Sequence, residues 1–136
     1  MNESQSGQVS VFVIGTALLC FAVAGIAVDG TRAFLFRRTL QNAADAAALA
    51  GASEIDSRTY YSSRNLVVLD DGRARAAALE WLDRRGLPVT ADVSATTDLV
   101  RVGLQGRLAT TFLGLIGITE LPVAAESSAE PLPGAP

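Results

Sequence analysis

The sequence predicts an α+β protein. A long N-terminal transmembrane helix continues into a soluble Ala-rich helix, and a small unit of one helix and a three-stranded antiparallel sheet follows. Three observations carry this reading. Val9 to Val28, "VSVFVIGTALLCFAVAGIAV", is twenty residues without a charge. Leu40 to Ala52, "LQNAADAAALAGA", is thirteen residues of which seven are alanine. Beyond Pro88, apolar and polar residues alternate with the period of two that belongs to strands.

The apolar stretch comes first. At 1.5 Å per residue, twenty helical residues cover about 30 Å, the thickness of a bilayer's hydrocarbon core. A cleaved signal peptide is the alternative, with Ala22-Val23-Ala24 as its cleavage site. That alternative wants a positive leader and a shorter apolar core, whereas Met1–Gln8 contains Glu3 and no Arg or Lys. Arg32, Arg37 and Arg38 follow the span, and the positive-inside rule would place that side in the cytoplasm. Long domains translocate largely regardless of charge, so the residues alone leave both orientations open.

The helical pattern runs on past Val28. Asp29, Ala33, Phe36, Leu40, Ala43, Ala47 and Ala50 recur at steps of four and three, so they share one stripe of a helix. A helix from Val9 to Ala52 would be about 65 Å long. Ala is the best helix former, yet it offers little bulk for a core. Small residues let helix backbones approach closely, which suits such a helix to lie against other helices. Thr16, Cys20 and Ala24 form a matching small ridge in the span. Asp45 falls off the stripe, toward solvent. Asp29 is read either as an interfacial charge paired with Arg32 or as a partner for a neighbouring subunit's helix.

Ser53–Leu69 reads as a loop that includes Tyr60-Tyr61 and ends in the short apolar run "LVVL". Asp70-Asp71 offers an N-cap and first-turn negative charge for the next helix. Trp81 is its expected hydrophobic anchor, and Gly86 and Pro88 stop it. "VTADVSA" and "LVRVGLQ" read as two strands joined at "TTD". "LATTFLGLIGI" is a short apolar helix or turn, "LPVAAESSA" a last strand, and "EPLPGAP" a disordered tail. The expected divisions are 1–8, a short cytoplasmic tail; 9–28, the span; 29–52, the helical extension; 53–128, the α+β domain; and 129–136, the tail.

Chemistry is sparse. The chain has no His and one Cys, so no Ser-His-Asp triad can form and a zinc site is not expected. No Gly-rich phosphate loop and no Cys-x-x-Cys pair occurs. The 11 basic residues are all Arg, and the formal net charge of −3 gives no footprint for nucleic acid. The reading is therefore non-enzymatic, with no cofactor and no small-molecule substrate. The expected partners are the lipid bilayer and other membrane helices.

The stretch from Gly7 to Ala52 resembles the N-terminal segment of the TadE/TadG-like proteins of the Flp (tight adherence) pilus system. The matching parts are the uncharged span, then Val28-Asp29-Gly30, then Leu40-Gln41 and Ala44-Asp45-Ala47-Ala48-Leu49-Ala50-Gly51-Ala52. The later order of strand, strand, "FLGLIGI" and strand is similar as well. The resemblance implies a single-pass, pilin-like protein of the cell membrane with its C-terminal domain outside the cytoplasm. It would act as a minor pilin, pseudopilin or assembly component among other pilin-like proteins. One feature departs from processed pilins, which carry a Glu five residues after the cut. A cut after Gly7 would put Phe12 there. That departure favours an anchored, TadG-like protein over a major pilin. The competing classes are a secreted α+β binding module with a cleaved signal and a membrane-anchored subunit of an unrelated complex.

Overall fold

The computed structural model describes residues 3–56 and 67–131. Tyr60-Tyr61, the start of "LVVL" and most of the C-terminal tail lie outside the described residues. The elements in chain order are α1 (Glu3–Ala52), α2 (Asp71–Arg85), β1 (Val89–Ala95), β2 (Val100–Ala109), a 3-10 turn (Leu113–Ile116) and β3 (Glu120–Ala129). The strands form one antiparallel sheet in the order β1-β2-β3. The chain divides into two units, residues 1–35 with 108–121 and residues 36–107 with 122–136.

The larger unit explains the alanines. Ala43, Ala44, Ala47, Ala48 and Ala52 of α1 are buried in one cluster with Ala74, Ala78 and Leu82 of α2 and Val93, Val100, Val102 and Leu104 of the sheet. One face of the sheet thus meets both helices. Each fully buried Val or Leu of β2 contributes about 1.5–3 kcal/mol of transfer free energy. The alanines contribute proximity instead. A Cβ built on Gly51 would stand 2.8 Å from the backbone oxygen of Ala74 and 3.1 Å from Val100 Cγ1. Only short side chains fit between backbones this close. A second cluster forms where Leu40 meets Val123 and Ala125 of β3, with Phe36 and Val89 packed at its edge.

Local signals set α2. Asp70 accepts a bond from the backbone N–H of Arg73 at 3.0 Å, and Gly86 ends the helix in the left-handed conformation at φ 59°. Its buried face is Ala74, Ala78 and Leu82, and this corrects the expectation for Trp81. The indole is only partly buried, at the rim of the cluster, with the Arg85 guanidinium 4.8 Å above its ring. The buried residues Ala74, Ala78 and Leu82 recur every four positions on one face of the helix, and Trp81 flanks that face.

β1 and β2 pair from Val89↔Gly106 to Ala95↔Val100. The turn at "TTD" is closed by Thr96 N–H donating to the Leu99 carbonyl at 2.8 Å. Leu69 pairs with Ile55 in an isolated bridge, so the end of "LVVL" is extended.

Replacing Gly51 with Val tests the tight approach. Helix propensity alone would favour Val over Gly by a few tenths of a kcal/mol. Overpacking should outweigh it and destabilise the unit by about 1–3 kcal/mol. Denaturant unfolding followed by the fluorescence of the sole Trp, Trp81, reads the sign, and an unchanged or stabilised variant would refute the packing argument.

Candidate functional site

The smaller unit is organised by one side chain. Asp29 is the buried charged residue among the described residues, with 0% of its surface exposed. Its carboxylate faces the loop between β2 and β3. Oδ1 accepts from the backbone N–H of Thr111 at 2.9 Å. Oδ2 accepts from those of Phe112 and Leu113, both at 2.8 Å. Arg32, one turn on, places its guanidinium 3.4 Å from Asp29 Oδ1 and donates to Thr111 Oγ1 at 2.7 Å.

These bonds rank in a physical order. A carboxylate that receives three amide hydrogens at normal length is well satisfied, because charge-assisted bonds are roughly twice as strong as neutral ones. The Arg32 contact is longer, and its side chain is 42% exposed, so it contributes little. Asp29 lies one residue beyond the apolar span. The acceptors of Asp29 are filled from within the chain. The pairing with Arg32 is present. A bond to a neighbouring subunit is not needed to satisfy the group.

The loop that Asp29 holds is compact. Leu115 N–H donates to the Phe112 carbonyl at 3.0 Å, and Ile118 N–H to that of Leu113 at 3.0 Å. Gly117 closes the 3-10 turn at φ 92°, a conformation that favours glycine. Thr110 bonds back to Thr119 through its N–H, and its hydroxyl bonds to the Ile118 carbonyl. Phe112 rests on the helix at Gly25, where a Cβ would come within 2.7 Å of Phe112 Cβ. Gly25 is buried for this reason, although its neighbours in the span are exposed.

The other sequence-predicted residues are spread along α1. In the span, Thr16, Cys20 and Ala24 are all exposed, with the Thr16 hydroxyl bonded to its own helix at the Phe12 carbonyl. Gly30 is exposed, and a Cβ there would meet nothing within 4 Å. In the larger unit, Leu40, Ala44, Ala47, Ala48, Gly51 and Ala52 are buried. Ala50 is half-buried, and Leu49 and Asp45 face out. Gln41 donates to Asp45 Oδ1 at 2.9 Å and to the backbone oxygen of Glu126 at 3.1 Å, which ties α1 to β3. Sequence reasoning missed the loop amides as partners of Asp29. They lie 82 to 84 residues away, and no local pattern joins them.

The apolar span is bare. Val11, Phe12, Leu18 and Phe21 are each about two-thirds or more exposed, and α1 is the one helix among the described residues long and apolar enough to cross a membrane. No group of His, Cys, Asp and Glu that could hold a metal ion occurs among the described residues.

The class this geometry defines is a small α+β domain carried on a candidate single-pass membrane helix. Residues 7–54 match the family model described as "Putative Flp pilus-assembly TadE/G-like", the stretch that carries the resemblance in the sequence. The match takes in α1 from Gly7 and the two residues after it. No curated protein matches this chain, and no solved structure does.

Substitutions at Asp29 and Arg32 test the ranking of bonds. Asp29→Ala leaves three amides without an acceptor, and limited chymotrypsin digestion in detergent should then cut at Phe112, Leu113 or Leu115 several-fold faster. Asp29→Asn should fall between, since its amide keeps one oxygen acceptor. Arg32→Ala should change the rate little. Equal cutting of Asp29→Ala and the parent chain would show that the carboxylate does not hold the loop.

Proposed function

We propose that this chain is a non-enzymatic, single-pass membrane protein of Flp pilus assembly, with its α+β domain on the extracytoplasmic side. The observation that carries the proposal is the coincidence on one helix of a bare apolar span and the TadE/G-like match over residues 7–54. A helix with large apolar side chains exposed on every side is costly in water and favourable in lipid. The span anchors the protein, and its uncovered ridge of Thr16, Cys20 and Ala24 is the surface for packing against other pilin-like helices.

The alanines of the larger unit do a different job. They are covered by this chain's own α2 and sheet. We therefore assign association with neighbours to the span, and positioning of the domain to the alanine face. The missing Glu after Gly7 supports an anchored, TadG-like component over a filament subunit.

Two measurements test this. The mature protein should have the mass of the intact chain, be found in membranes and not in sheared surface filaments, and resist alkaline extraction. A chain cut near Ala24 and free in the medium would overturn the anchor. Photocross-linking from a benzophenone attached to Cys20 in native membranes should trap a helix partner, and Ala24→Leu should reduce the yield severalfold by widening the contact. Cross-linking unaffected by Ala24→Leu would remove the ridge from the account.

A further inference from the structure

The loop between β2 and β3 has a feature the anchoring role does not use. From Leu108 to Thr119, "LATTFLGLIGIT", no residue is charged. At the tip, Leu115 is 83% exposed and Ile116 74% exposed, and Ile118 stands open beside them. Exposed apolar side chains on adjoining residues call for a cover. The same loop lies against the span, because Phe112 packs on Gly25, three residues inside the last apolar residue, Val28.

We propose that this loop is a second membrane contact, a foot whose Leu115, Ile116 and Ile118 insert into the lipid leaflet beside the point where α1 leaves the bilayer. The occupant of this apolar surface is lipid acyl chain. The argument is continuity, since Phe112 seats the loop on a helix segment that is itself within the span. The inference rests on the span being membrane-embedded.

The backbone of the loop fits this environment. Irregular backbone is tolerated at membrane depth only when its polar groups find partners within the protein. Here Asp29 takes the amides of Thr111, Phe112 and Leu113, and those of Leu115, Gly117 and Ile118 donate to carbonyls within the loop. Thr110 donates to Thr119, and its hydroxyl is bonded as well. The buried carboxylate thus does for the loop what water would do outside lipid. Arg32 bonds Asp29 and Thr111 while remaining 42% exposed, and so can lie at headgroup level. A loop built to dissolve in water would have no reason to shed its charges and yet present Leu115 and Ile116 outward.

The test uses the full chain in phosphatidylcholine–phosphatidylglycerol vesicles, with an environment-sensitive fluorophore on a single cysteine. Native Cys20 reports the span. Leu115→Cys and Ile116→Cys, each combined with Cys20→Ser, report the foot. Ser94→Cys in β1, with Cys20→Ser, reports a water-exposed reference. Lipids carry a nitroxide quencher either near the headgroup or near the acyl-chain end. The proposal expects the label at residue 20 to be quenched by the deep nitroxide. Labels at 115 and 116 should be quenched by the shallow one at least about twofold more than the label at 94, as groups at membrane depth would be. Quenching at 20 with labels at 115 and 116 behaving like that at 94 would overturn the foot and leave the span standing. No quenching at 20 would overturn the span, and the foot with it.

Discussion

Close approach to α1 is the constraint on which both units depend. Each unit closes on a residue of α1 that has no side chain. In the smaller unit Phe112 sits on Gly25, and in the larger unit the backbone of Ala74 and the side chain of Val100 sit on Gly51. The alanines extend the same principle, because their methyl groups line the face of α1 that is buried with α2 and the sheet. A helix that looks too poor in bulk to make a core in fact supplies one close-packed face of it. The bulk comes from Val93, Val100, Val102 and Leu104 on the facing strands.

In the smaller unit, burial of a charge is the second constraint. An isolated carboxylate out of water is very unfavourable unless it is hydrogen-bonded. Asp29 meets that condition with three amides from one short loop, and so fixes where that loop lies against α1. The two halves of the bargain are reciprocal. The loop amides would be orphaned beside an apolar span without the carboxylate, and the carboxylate would be orphaned without them. This makes Asp29 an internal clamp, which is compatible with the anchoring role proposed for α1.

Much of the fold was legible in the sequence because its signals are local. Asp70 and Gly86 mark the ends of α2 by cap chemistry, and the alternation from Val89 to Ala95 gives β1 at the bounds observed. The stripe Leu40, Ala43, Ala47 is visible from spacing, and all three are buried. What covers the stripe was not legible, because periodicity reveals a face and not its occupant. Trp81 misled for a related reason. Size suggests an anchor, but the face of α2 that is buried is Ala74, Ala78 and Leu82, and its partners on α1 lie far away in the sequence. The bonds of Asp29 were hidden by sequence separation. The signal that could have pointed to them is a second uncharged stretch, Leu108 to Thr119, which is unusual in a domain expected to face water.

The most direct test of the central claim is amide hydrogen exchange on the full chain in lipid nanodiscs, compared between the parent protein and Asp29→Ala. The account predicts that the amides of Thr111, Phe112 and Leu113 are protected in the parent and lose that protection in the variant, while Val102 and Leu104 in β2 stay protected in both. Rapid exchange at those three amides in the parent, or protection that survives the loss of the carboxylate, would contradict it.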